Sequence, residues 1–140
     1  MIETFLMALA LQAAPAPEPA PMATVRAMLA ALGNRDREAM AATFLPTATA
    51  THVAGGKVRQ FPIAEFLAGV KPGPEKYAEP IYDPEVRIAG NLATVWAAYE
   101  FRIDGKIHHC GTDAFDLVLL DGQWKIASVA WTQTTDCPAR

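Results

Sequence analysis

Asp113, Tyr99 and His108 are the residues of this 140-residue chain whose types could do acid–base chemistry together. Asp113 stands in the run His109-Cys110-Gly111-Thr112-Asp113-Ala114-Phe115, inside a β-rich stretch. A carboxylate in a roomy apolar pocket has its pKa raised by desolvation and can serve as a general base. A phenol or an imidazole beside it would act as hydrogen-bond donor. The plain structural alternative is that Asp113 accepts hydrogen bonds from Tyr99 or from backbone amides, or faces solvent at the mouth of the fold. His108 and His109 are adjacent, so along a strand they point to opposite faces and cannot hold one metal together unaided. His52 stands alone near the end of a short strand. No metal set and no cofactor motif is expected.

The elements that must position these residues are hairpins. Glu85–Ala89, Leu92–Ile103, Lys106–Leu120 and Gln123–Thr132 are β-rich. They are separated by Gly90-Asn91, Asp104-Gly105 and Asp121-Gly122, dipeptides suited to the positive φ of two-residue turns. The first turn puts Val86 and Ile88 on the face of Ala93, Val95, Ala97, Tyr99 and Phe101. The last puts Phe115, Leu117 and Leu119 with Trp124 and Ile126. With a plain turn at Asp104-Gly105 those two apolar faces would lie on opposite sides of the sheet. One extra residue in the middle strand repairs the mismatch, and Gly111 is the expected bulge. Asp113 then lies on the concave apolar face between Ala97 and Ala130, with Tyr99 and His108 toward the open end. Tyr82, Ala97, Tyr99, Asp113, Phe115 and Ala130 are the expected pocket lining. Trp96, Val118, Val129 and Trp131 are expected to project from the convex face as an apolar patch, the surface of a homodimer or a place for the C-terminal tail to cover.

Helices precede the hairpins. Thr24 is a good N-cap for a helix whose stripe is Val25, Met28, Leu29 and Leu32, with Gly33 as the left-handed C-terminal residue. A second helix starts after Asn34 or Asp36, turns Ala39, Met40 and Phe44 inward, and stops by Leu45-Pro46. Thr47–Val53 alternates like a short strand. Pro62 opens a third helix carrying Ile63, Phe66, Leu67 and Val70. Lys71–Pro84, with four prolines, is a loop or at best an edge strand. The fold class is α+β, three helices packed on a curved, bulged antiparallel sheet that forms a cone.

Composition bounds the function classes. A chain with 51% hydrophobic residues and one domain's length can bury a real core. A net charge of -3 gives no electrostatic footprint for nucleic acid, and no apolar run is long enough to span a bilayer. Phe5–Leu11 is a short apolar run followed by Gln12-Ala13-Ala14 and the Pro/Ala segment Pro15–Pro21. Residues 1–21 therefore read as a secretory signal and linker, ahead of a domain over 22–140 in a periplasmic or secreted protein. A disordered cytoplasmic tail is the alternative. Cys110 and Cys137 form a candidate disulfide closing a loop of 27 residues, worth roughly 3 kcal/mol in the chain-entropy model. Two separate reduced thiols are the other reading.

The hairpin markers Gly90-Asn91-Leu92-Ala93 leading into Val95-Trp96, and Asp121-Gly122-Gln123-Trp124-Lys125-Ile126, carry a family resemblance. From Ala23 to Thr132 the chain resembles the nuclear transport factor 2-like superfamily, which includes ketosteroid isomerases and SnoaL-like cyclases. His109–Phe115 resembles exported members of unknown function. The resemblance implies the cone fold, and in the enzymatic branches Asp113-Ala114-Phe115 matches a strand motif that supplies a pocket acid or base. A second acid–base partner (His52, Tyr82 or Tyr99) has no secure counterpart. Three functions follow as expectations. One is an exported domain holding a small, largely apolar molecule. Another is a cofactor-free proton-transfer enzyme with Asp113 as base and Tyr99 or His108 as donor. The third is a module acting through its convex face.

Overall fold

The apolar stripe of the first helix begins one turn earlier than its polar punctuation suggests. The computed structural model describes residues 13–140, so the run Phe5–Leu11 lies outside the described residues. Helix α1 spans Ala20–Gly33 with Pro21 in its first turn, where a missing N–H is harmless. Met22 thereby joins Val25, Met28 and Leu29 in the buried stripe. Thr24 is not the N-cap. It sits inside the helix, and its hydroxyl donates to the Trp124 carbonyl at 2.9 Å, pinning helix to sheet. The helix also takes two residues from the segment read as linker. Gly33 is not left-handed; the positive φ falls on Arg35, and a Cβ on Gly33 would meet the Tyr77 carbonyl oxygen at 3.1 Å.

Asp36 caps α2, Arg37–Ala41, its carboxylate accepting from the Ala39 amide at 3.0 Å. Strand β1, Phe44–Ala54, turns at Gly55-Gly56 into β2, Lys57–Pro62, a strand not expected from the sequence. Helix α3, Ile63–Ala68, follows Pro62, so the third helix comes after the first hairpin and not before the whole sheet. The Pro-rich segment contains a short strand β3, Tyr77–Ala78, and leads into β4, Ile81–Ala89. Strands β5 (Leu92–Ile103), β6 (Lys106–Leu120) and β7 (Gln123–Gln133) complete a seven-stranded sheet in the order β2-β1-β7-β6-β5-β3, with β4 also paired to β5. The sheet is not purely antiparallel: β1 pairs β7 in parallel.

Two bulges decide which side chains face inward. Phe101 pairs with His109 while Arg102 pairs with Ile107, so His108 is the extra residue in β6. The bulge is therefore at His108 and not at Gly111. Its effect on everything downstream is the one expected, since any single insertion flips the alternation. Asp113 pairs with Ala97, Phe115 with Val95, and Leu117 with Ala93, all on the face covered by the helices. The second bulge was not foreseen. Asp116 pairs with Ser128 but Leu117 with Ile126, leaving Ala127 unpaired in β7. Val129 and Trp131 consequently turn inward beside Phe115 and Asp113. Ala130 goes to the convex face opposite Ala114. The expected convex patch thus loses Val129 and Trp131 and keeps exposed Trp96 and half-buried Val118.

Gly111 has a different role. A Cβ there would lie 2.0 Å from the Thr132 carbonyl oxygen, the same oxygen that accepts from the Tyr99 hydroxyl at 2.8 Å. Glycine lets β7 approach β6 closely enough to make that bond. The C-terminal tail is tied down next to it. Cys110 and Cys137 form a disulfide, and Cys110 and Thr134 exchange backbone hydrogen bonds of 3.0 and 2.9 Å. At the tail's end Arg140 lies 4.6 Å over the Tyr82 ring and 3.8 Å from Glu100. Glu100 is 1% exposed because Arg102, Tyr82 and Arg140 cover it, with Arg102 donating at 2.6 Å. That hydrogen bond from Arg102 holds the Glu100 carboxyl below its ordinary pKa.

Two predictions follow from these crossings. Gly111→Ala should lower unfolding free energy by about 1–3 kcal/mol, the usual range for overpacking against fixed atoms, as read from urea denaturation; an unchanged midpoint would contradict the close approach. Cys137→Ser should lower it by roughly 3 kcal/mol, and denaturing thiol alkylation of the native protein purified from an oxidising compartment should label neither cysteine.

Candidate functional site

Between the concave face and the helices lies a cavity of about 210 Å³. Its floor is sheet: Tyr99 and Phe101 from β5, His109, Asp113 and Phe115 from β6, Val129, Trp131 and Gln133 from β7. Its roof is Met28 and Leu32 of α1, Met40 of α2 and Phe66 of α3. Phe44 of β1 and Glu79, from the segment between β3 and β4, complete the wall. Phe44, Phe66, Tyr99, Phe101, Phe115 and Trp131 give the lining a strong aromatic share. Phe66 and Phe61 both meet the Trp131 ring edge-on, at centroid separations of 5.6 and 6.2 Å.

Asp113 is 4% exposed, and its Oδ2 atom is buried without a hydrogen-bond partner. Burial pushes its carboxyl up from 3.8 to about 7. Glu79 is half-buried as a residue, yet its carboxyl is the enclosed part. Burial first, and the charge of Asp113 second, hold that carboxyl well above the ordinary glutamate range. Two carboxyls in one enclosed site, both held above their ordinary values, retain a proton near neutrality. Tyr99 is raised by burial and then by both carboxylates, so it remains a neutral phenol. Its proton is already engaged with the Thr132 carbonyl.

His109 lines the cavity and His108 does not. With the bulge at His108, Phe101 faces His109, and the two rings stack with centroids 5.0 Å apart. Burial, then the charges of His108 and His52, push His109 down to about 4, leaving a neutral imidazole at physiological pH. Its Nδ1 lies 2.8 Å from His108 Nδ1, one ring donating and the other accepting. His52 sits behind the wall, donating from Nε2 to Gln133 at 3.0 Å and packing against Trp131.

Of the pocket residues expected from sequence, Tyr99, Asp113 and Phe115 line the cavity. Ala97 is fully buried beneath it, on the same face beside Asp113. Tyr82 and Ala130 are elsewhere. Tyr82 is on the convex face, donating to Glu100 at 3.0 Å, because its strand partner is Ala98 and not an inward-facing residue. Ala130 is displaced by the Ala127 bulge, and Trp131 takes the place beside Asp113. Sequence reasoning missed Glu79, His109 and Trp131. No periodic signal marks Glu79, a lone acid before Pro80. The two others follow from bulge positions that hairpin turns do not specify. Among the described residues no group of three or more His, Cys, Asp or Glu could hold a metal ion.

The raised carboxyl makes a pH-dependent prediction. A carboxyl with a higher pKa folded than unfolded stabilises the fold fully below the unfolded value, 3.8, and that stabilisation is lost as pH rises through about 7. Asp113→Asn should therefore raise Tm more at about pH 8 than at about pH 5, by an amount reflecting a few kcal/mol. Equal shifts at both pH values would contradict the assignment.

The fold has many solved counterparts, each similar at low identity. An NTF2-like protein of unknown function from Shewanella baltica superposes with a TM-score of 0.66 at 19% identity, covering 84% of this chain and 93% of that one. One from Methylobacillus flagellatus gives 0.66 at 22% identity, covering 83% and 90%. A protein from Shewanella frigidimarina described as a "putative ketosteroid isomerase" gives 0.61 at 18% identity, covering 81% and 95%. At these identities the likeness shows the fold. Among curated protein sequences none matches this chain. A family model described as "Putative lumazine-binding" matches residues 18–132, which takes in every helix and strand except Gln133, the last residue of β7. The chain belongs to that family, within the nuclear transport factor 2-like superfamily.

Proposed function

We propose that the cavity binds a small, flat, largely apolar ring compound whose polar edge meets Asp113. The observation that carries this reading is a partly enclosed aromatic cavity with one unsatisfied buried carboxylate atom on its floor. Such a site is mostly apolar contact with a few placed polar groups, the usual composition of a ligand pocket. At about 210 Å³ it is smaller than the range of roughly 300–1,000 Å³ for drug-sized ligands. One or two fused rings fit that scale, and the family description points to a bicyclic heteroaromatic of the same size. The Cys110–Cys137 disulfide supports residence in an oxidising compartment, as an exported protein would have.

Asp113's pKa near neutrality favours a second reading. A base of that strength is matched to proton abstraction beside a carbonyl at physiological pH. In this reading Asp113 takes the proton and the protonated Glu79 carboxyl donates to the developing oxyanion. Tyr99 is a poor donor because its hydroxyl already serves Thr132, and His108 is outside the cavity.

Thermal shift with indole and with lumazine tests the binding reading. A ligand at 100 times its Kd should stabilise the fold by about 2.7 kcal/mol. Trp131→Ala should weaken binding about tenfold while Trp96→Ala, on the convex face, leaves it unchanged. No shift with any one- or two-ring probe would overturn the reading. A loss of roughly a hundredfold or more in turnover of an activated ketone on Asp113→Asn would establish the second reading instead.

A further inference from the structure

We infer that the natural ligand is a small aromatic monocation, a protonated amine or amidine on one or two rings, and that the Glu79–Asp113 pair is its counter-ion. The inference rests on the binding reading above and names the ligand's charge. Its starting point is an imbalance. Two carboxyls face the cavity, and no lysine or arginine is among its lining residues. Asp113 Oδ2 has no hydrogen-bond partner at all. Buried carboxylates are ordinarily paired, and a buried carboxylate left alone is costly.

The other titratable groups facing the pair cannot supply the missing charge. Tyr99 from β5 is a neutral phenol committed to Thr132, and Glu79 from the β3–β4 segment is itself an acid. His109 from β6 is held neutral by burial and by its histidine neighbours. The helices present Met28, Leu32, Met40 and Phe66, none of which titrates. A cation inside this space would meet a carboxylate at one end and aromatic faces around it, and both attractions strengthen with desolvation. A neutral ring compound would fill the space and hydrogen-bond the carboxylate but leave its charge unbalanced.

Entry of the cation should drive off the proton the pair retains. Below about pH 7 Asp113 is largely protonated, so binding an ammonium ion releases a proton to solvent. Above it the site is already ionised, and affinity for the cation is higher.

The test compares tryptamine, a cation at neutral pH, with tryptophol, its neutral near-isostere, by calorimetry on the full chain in two buffers of different ionisation enthalpy. At about pH 6 tryptamine should bind at least tenfold more tightly than tryptophol and release close to one proton, with tryptophol releasing none. Tryptamine affinity should rise several-fold between about pH 6 and pH 8. Asp113→Asn should abolish the preference for tryptamine over tryptophol. Glu79→Gln serves as a second variant should the first alter the fold, and should reduce the preference in the same direction. Equal binding of the two probes, or tighter binding of tryptophol, overturns the cation assignment and leaves the apolar pocket standing. No binding of either overturns both.

Discussion

Side-chain alternation along a strand is absolute between irregularities, and this protein depends on where two irregularities fall. The extra residue His108 in β6 sends Asp113 inward; the extra residue Ala127 in β7 sends Trp131 to meet it. Remove the first, and a carboxylate would replace Ala114 on the convex face while an alanine floored the cavity. Remove the second, and Ala130 would stand where the Trp131 wall now closes the site. Neither change alters composition or length of any strand by more than one residue. The functional site is a matter of parity before it is a matter of chemistry.

Parity alone leaves a site that works against the fold. An acid with no partner is enclosed beside a second acid, and both respond by holding protons they would lose in water. The surrounding structure can tolerate this because the core nearby is otherwise apolar and well anchored. Helix α1 is pinned to β7 through Thr24 and Trp124, and the β6–β7 crossing is drawn together at Gly111 and Thr132. The disulfide then fixes the tail over the other face. The contrast with Glu100 is instructive. That acid is equally inaccessible, yet two arginines and a tyrosine satisfy it. One acid is completed by the chain itself, and the other has a buried oxygen with no partner.

How far the sequence revealed this follows the range of the forces involved. Local rules read the hairpin turns, the start of α2 as one of two candidates (Asn34 or Asp36) and the Pro62 helix start, since each depends on a few adjacent residues. The same rules misplaced the start of α1, because burial of Met22 against the sheet outweighed a good capping residue at Thr24. They missed β2, whose burial is confined to Phe61, and the parallel pairing of β1 with β7, which no local pattern encodes. Mismatched faces across the Asp104-Gly105 turn revealed that one bulge must exist. They placed Asp113 and Phe115 on the inner face, but they could not say which residue was extra, and so exchanged His108 for His109. The Ala127 bulge left no such mismatch, because Trp124 and Ile126 match their partners before the slip occurs. Glu79 is brought in by a Pro-rich connection whose course is decided wholly by tertiary packing.

A carboxyl of near-neutral pKa faces this cavity, with one oxygen that has no partner of its own. Its most direct measurement is the side-chain carboxyl carbon shift of Asp113, followed by NMR across about pH 3 to 9 with Glu79→Gln as a second sample. The midpoint for Asp113 should lie near 7 and stay well above the ordinary carboxyl value in Glu79→Gln, because burial is what raises it. A single transition near 4, the same in both samples, would contradict it.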